Sequence, residues 1–172
     1  AITAALTGGN IVIDGRNTAN DGGYEAITLT NVDTTTSGAI TVTNYANNIV
    51  ATDAAALGGA DTDDVTLTTT STGIVSLGAV SAATSGDVTI SSVGTITDIT
   101  GAQDDVAEIT ADVFTVSAAT AIGTGSAQVD VNATTVNLTA TGDTYLDTVG
   151  SGGVAITAAL TGGNIVIDGR NT

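Results

Sequence analysis

The chain contains no cysteine, proline, methionine, tryptophan, histidine or lysine. Without cysteine there can be no disulfide, no thiolate metal site and no thiol nucleophile. Without lysine there is no Schiff-base chemistry and no Lys–Asn isopeptide cross-link, and no histidine stands ready to activate a serine. Aromatic residues make up only 2%, with Phe114, Tyr24, Tyr45 and Tyr145 as the whole set, against 42% hydrophobic residues overall. Any core must therefore be built from Ile, Val, Leu and Ala. Basic side chains are nearly absent too. Arg16 and Arg170 face 18 acidic residues, for a net charge of −16. That charge repels nucleic acid, whose phosphates need Lys and Arg clusters. It repels anionic membrane surfaces as well. It keeps a long polymer soluble and attracts divalent cations. No apolar run approaches the roughly 18–20 residues that span a bilayer, so membrane insertion is not expected. No basic-plus-apolar leader opens the chain, and a secretion signal would lie upstream.

What is present is repetition. Ala1–Thr18 reads AITAALTGGNIVIDGRNT, and Ala155–Thr172 repeats it without a substitution. Internal repeats set the fold and must be read first. The expected organisation is one full tandem repeat over 1–154 and the start of the next identical repeat over 155–172, in a single continuous array. Each period keeps the full −16, because Asp168 and Arg170 cancel in the second copy. The second copy is expected to continue the stack that the first begins, with nearly the same backbone.

Threonine is the commonest polar residue, with 35 copies, and it alternates with aliphatic residues. Ala26–Thr30, Ile40–Thr43, Val65–Thr70, Val88–Ser92, Phe114–Ser117, Val129–Asn132 and Thr135–Thr141 all follow this period of two. Such alternation means half-buried strands, and β-branched residues favour the pleated state. Leu29, Val42, Leu67 and Ile96 should face inward, with Thr28/Thr30, Thr41/Thr43, Thr66/Thr68 and Thr95/Thr97 outward. Gly-, Asn-, Asp- and Ser-rich turns separate the runs. Only Ala51–Leu57, Ser81–Thr84 and Ser117–Thr120 offer so much as a turn of helix.

The fold class is all-β, and two architectures compete within it. A string of Ca-dependent β-sandwich repeats would normally centre on a large buried aromatic, and its linkers would use proline. A parallel β-helix, or β-solenoid, needs only small aliphatic stacks. Anchors at Ile27, Ile49, Val65, Val88, Ile109, Val131 and Ile156 divide the period into about seven coils of roughly 22 residues, continuous across repeats. At about 4.8 Å per coil, one period would span roughly 34 Å.

Asp64–Asp98 and Phe114–Leu146, with the stretch Ala118–Ala127 between strand-like runs, resemble the repeats of giant bacterial surface proteins of the filamentous-haemagglutinin type. The resemblance implies a right-handed parallel β-helix, export across the outer membrane, and adhesive or fibrous roles at the cell surface. The expected function is accordingly structural: a segment of an extracellular fibre, stalk or filament, with copies of itself as partner. The alternative is an adhesin repeat that binds glycans or partner cells.

One motif points to a ligand. Gly58–Leu67 approaches the calcium nonapeptide G-G-x-G-x-D-x-U-x, with Asp61 in place of the third glycine. Asp61, Asp63 and Asp64 are thus the candidate calcium ligands, since a hard cation takes six to eight oxygens. A solvated acidic turn is the plain alternative. Asp104, Asp105 and Glu108 form a weaker version. No catalytic constellation is present, and no enzyme is expected. Arg16 should pair locally with Asp14 or Asp21.

Overall fold

The structure, a computed structural model, describes residues 1–15, 25–101, 103–150 and 152–169. Arg16, Asp21 and Arg170 lie outside the described residues, and with them the expected Arg16 pairings.

Fifteen strands form one sheet wound into a parallel β-solenoid of about seven turns, with no helix among the described residues. They are β1 (Ile2–Leu6), β2 (Ile11–Gly15), β3 (Ile27–Thr34), β4 (Ile40–Asn44), β5 (Ile49–Ala56), β6 (Val65–Thr69), β7 (Val75–Ala82) and β8 (Val88–Ser91). Then follow β9 (Thr95–Asp98), β10 (Ile109–Ala118), β11 (Ala121–Ile122), β12 (Val129–Ala140), β13 (Thr144–Thr148), β14 (Ala155–Leu160) and β15 (Ile165–Asp168). Every pairing between them is parallel, which excludes a string of antiparallel sandwiches.

The pairing resolves into three stacks, one per face of the coil. On the first face Ile27, Ile49, Val75, Ile96, Ile122, Thr144 and Ile165 follow one another in register. On the second run Ala4, Val32, Ala54, Val80, Ile109, Val131 and Thr148. On the third run Ile11, Ile40, Val65, Val88, Phe114, Val136 and Ile156. Long strands such as β3, β5 and β7 bend across the first two faces. Partners lie from 17 residues apart (Val131 and Thr148) to 29 (Ile11 and Ile40).

The sequence anchors therefore come close to the turn count while jumping between faces. Ile27 and Ile49 stand on the first, Val65, Val88 and Ile156 on the third, Ile109 and Val131 on the second. A period of two reports inside versus outside, and all three faces share it.

The interior is a ladder of aliphatic side chains. Leu29, Val42, Leu67 and Ile96 are fully buried, as the alternation requires, and so is Phe114. Stacked like residues fill a narrow interior without voids, and each buried Leu or Ile contributes about 2–3 kcal/mol of transfer free energy. Of Ala51–Leu57, one candidate for a helical turn, all but Leu57 belongs to strand β5. Ala54 and Ala56 pack in register between Val32 and Thr34 below and Val80 and Ala82 above, where only small side chains fit. Ser81–Ala82 and Ser117–Ala118 likewise end strands β7 and β10.

Polar side chains turn the corners. Thr34 Oγ1 donates to Gly38 O at 2.6 Å, Asn44 Nδ2 to Asn48 O at 2.9 Å and Thr69 Oγ1 to Gly73 O at 3.3 Å. Each closes its own turn at the same spacing of four. The side chains of Asn10, Asn48, Asp64, Asp87 and Asp143 each accept a backbone N–H from the following coil. The turn residues that looked like loop composition are thus rungs that join coil to coil.

The two copies of the eighteen-residue sequence keep their local form. Gly9 (φ 92°) and Gly163 (φ 79°) hold the same left-handed turn, a conformation glycine adopts without steric penalty. Their placement differs. β1 lies mainly on the second face and β2 on the third, whereas β14 lies on the third and β15 on the first. Between the copies the chain makes six turns and advances one further face. The second copy thus continues the stack one face onward from the first, because 154 residues are not a whole number of coils.

Candidate functional site

Two groups of carboxylates differ in how the fold uses them. The first is the turn before β6. Asp63 is almost wholly buried. Its Oδ1 accepts the N–H of Gly38 at 2.6 Å and its Oδ2 the N–H of Ala60 at 2.8 Å. These two donors, the first from the preceding coil, hold its carboxyl below the usual aspartate range. Gly58 makes room for it, since a Cβ there would collide with the Asp63 carboxylate and the Thr36 carbonyl. Asp64 Oδ1 accepts the N–H of Asp87 at 2.9 Å in the next coil. Asp61 is exposed. The structure thus gives Asp63 and Asp64 coil-to-coil bonds and leaves Asp61 at the surface. It does not gather the three carboxylates around one point.

The second group lies where the chain makes a long excursion, between β9 and β10. Within strands β1 to β8 the buried positions are aliphatic apart from Thr34, Asn44 and Thr69 at the strand ends, and none is acidic. From β9 onward acids enter the interior. Asp98, in register with the fully buried Leu77, is 7% exposed; Glu108 is 4%, Asp130 1% and Asp147 0%. Asp98 is held by Thr100, whose N–H reaches Oδ1 at 2.7 Å and whose Oγ1 reaches Oδ2 at 2.6 Å. The Asp130 N–H donates to Glu108 Oε2 at 2.7 Å. The excursion carries Asp104 to the same place. Carboxylate oxygens of Asp104, Glu108 and Asp130 all lie within 4.8 Å of one another. Asp105, beside them, holds a left-handed backbone (φ 58°), which Asp tolerates better than most residues.

Burial pushes the Glu108 carboxyl up to about 8 against the pull of the Asp130 N–H, and the charges of Asp98, Asp130 and Asp104 push the same way. Burial also lifts Asp130 to about 6, helped by Asp147, Asp104, Asp105 and Asp98. No Lys, Arg or His side chain is present among the described residues to offset them. The sequence marks Asp104, Asp105 and Glu108 as a minor acidic turn and does not single out Asp130. The available signal is coil spacing, since Glu108 and Asp130 stand 22 residues apart, one coil.

A cavity of about 670 Å³ on the second face runs past Ala82, Ala111, Val131, Ala133 and Gly153, and no titratable side chain lines it. In comparisons with protein-family models, characterised proteins and solved structures, nothing matches this chain.

Proposed function

We propose that this chain is a structural segment of a secreted bacterial tandem-repeat protein of the filamentous-haemagglutinin type, stacked into an extracellular fibre or stalk. One observation carries the reading. The last eighteen residues repeat the first eighteen, and their strands add in register to the preceding coil through β14 on β12 and β15 on β13. A strand edge is a template for the next strand, and the sequence that follows Val154 is the one that begins the chain. Each added repeat would cover the edge left by the one before. Stability would then be a sum of coil and interface terms. The partner is the chain's own next repeat, the aliphatic ladder gives stiffness, and the surplus of acid keeps neighbouring fibres apart.

The test is electron microscopy of chains carrying one, two and three repeats. Rods lengthening by about 30 Å per repeat, from a little over six coils of about 4.8 Å, support the fibre. Beads of constant diameter on flexible links contradict it. Glycan or cell binding by the isolated segment would instead make it an adhesin repeat.

A further inference from the structure

We propose that Asp104, Glu108 and Asp130 form a binding site for a divalent cation, and that the cation is calcium. The inference is independent of the fibre reading. In the geometry above, two carboxylates of the excursion between β9 and β10 and one from β12 converge within 4.8 Å. Two oxygens on one calcium, each at about 2.3–2.6 Å, can stand no more than about 5 Å apart. The cluster therefore fits within a single coordination shell.

A second observation singles out a ligand rather than a chance gathering of acids. Asp130 is 1% exposed, and its Oδ1 is buried with no hydrogen-bond partner. A buried, unpartnered carboxylate oxygen is costly to leave bare. Nearly every such oxygen in a folded chain meets a donor, a water or an ion. Here no side-chain cation is at hand among the described residues, and the surrounding groups are further acids. Gln128 repeats the pattern. It is 5% exposed, its Nε2 donates to Asp168 at 3.1 Å, and its Oε1 is buried without a partner.

The donor set selects the ion. Every candidate ligand atom is oxygen, and the chain has neither cysteine nor histidine for a softer metal. Carboxylates drawn from a loop (Asp104, Glu108) and one strand (Asp130) suit the irregular, high-coordination shell of calcium better than the strict octahedron of magnesium. Asp104 is exposed and stands at the rim, so the ion has a way in. Bound there, it would tie the excursion to β12 in the following coil.

Isothermal titration of CaCl2 into the EDTA-stripped chain tests the proposal. One calcium per chain is expected. Asp130→Asn and Glu108→Gln should each weaken binding at least about tenfold, as loss of a charged ligand does. Circular dichroism separates lost ligation from lost folding in these buried variants. Asp104→Asn, in the exposed loop, keeps the test decisive whatever they do, and it too should weaken binding. Absence of both a binding heat and a calcium-dependent rise in Tm overturns the proposal. So does binding that survives Asp104→Asn and vanishes in Asp61→Asn.

Discussion

The turn at Asp63 and the cluster at Asp130 hold the same chemical group at the same depth and use it in opposite ways. At Asp63 both carboxylate oxygens receive backbone N–H groups, one of them from the preceding coil. The charge is satisfied, its pKa falls, and the acid works as mortar between coils. At Asp130 one oxygen meets nothing, its neighbours are acids, and its pKa rises to about 6. Burial alone does not set the fate of a carboxylate. The donors that the backbone brings to it do.

The comparison can be broken in four places, taken from the largest effect to the smallest. Gly58→Val should destabilise most. The added side chain strikes the Asp63 carboxylate and the Thr36 backbone, and overpacking of this kind costs about 1–3 kcal/mol. For a chain of this size that is a fall of about 3–10 °C in Tm by calorimetry. Asp63→Ala should come next, with a drop in Tm of several degrees, because it leaves the N–H groups of Gly38 and Ala60 without their acceptor. A gain in Tm there would show that those bonds do not stabilise the stack.

The third prediction concerns sign. In the chelated protein Asp130→Asn should raise Tm by a few degrees at pH 8, because it removes an uncompensated buried charge. The same logic gives opposite pH slopes. Asp63 has a depressed pKa, so its contribution is present above its ordinary value of 3.8 and is lost as the pH falls below it. Glu108 and Asp130 have raised values, so their protonated forms are stable in the fold at low pH. Their ionisation destabilises it as the pH climbs towards about 8 and about 6, respectively. With chelator present, Tm should therefore peak near about pH 4–5 and decline on both sides. A Tm that rises steadily from pH 5 to pH 8 without metal would contradict the reading of the Asp130 cluster. Smallest is Asp61→Asn. This side chain is exposed, and its loss should change stability by less than about 0.5 kcal/mol.

The same contrast shows how much the sequence discloses. Alternation of Thr with Ile, Val and Leu is enough to read the strands, their inward residues and the solenoid. Spacing along the chain does not say which face a strand occupies, because Ile49 and Val65 look alike and stand on different faces of one coil. The alanines of Ala51–Ala56 carry little strand preference of their own. Their conformation comes from the coils above and below them. The acidic turn at Asp61–Asp64 is conspicuous because its carboxylates are contiguous, yet the fold ties Asp63 and Asp64 into backbone bonds. Asp104, Glu108 and Asp130 are inconspicuous because one coil of chain separates Asp130 from the other two. In a solenoid, proximity runs along the axis, and residues 17–29 apart are neighbours.

The two copies of AITAALTGGNIVIDGRNT extend this point. Identical residues make the same strand–turn–strand unit, but Ile11 is 8% exposed on the third face and Ile165 is 43% exposed on the first. Local sequence sets the unit, and the number of residues since the last copy sets the face. If the array continues, every repeat is turned by one face relative to its predecessor. The Asp130 clusters of three successive repeats would then point in three directions around the fibre.

Cryo-electron microscopy of a two-repeat chain tests this account most directly. The account predicts one uninterrupted parallel stack with an axial spacing of about 4.8 Å, the second repeat starting one face onward from the first. Two separate domains, or a break in the parallel pairing at Val154–Ala155, would contradict it.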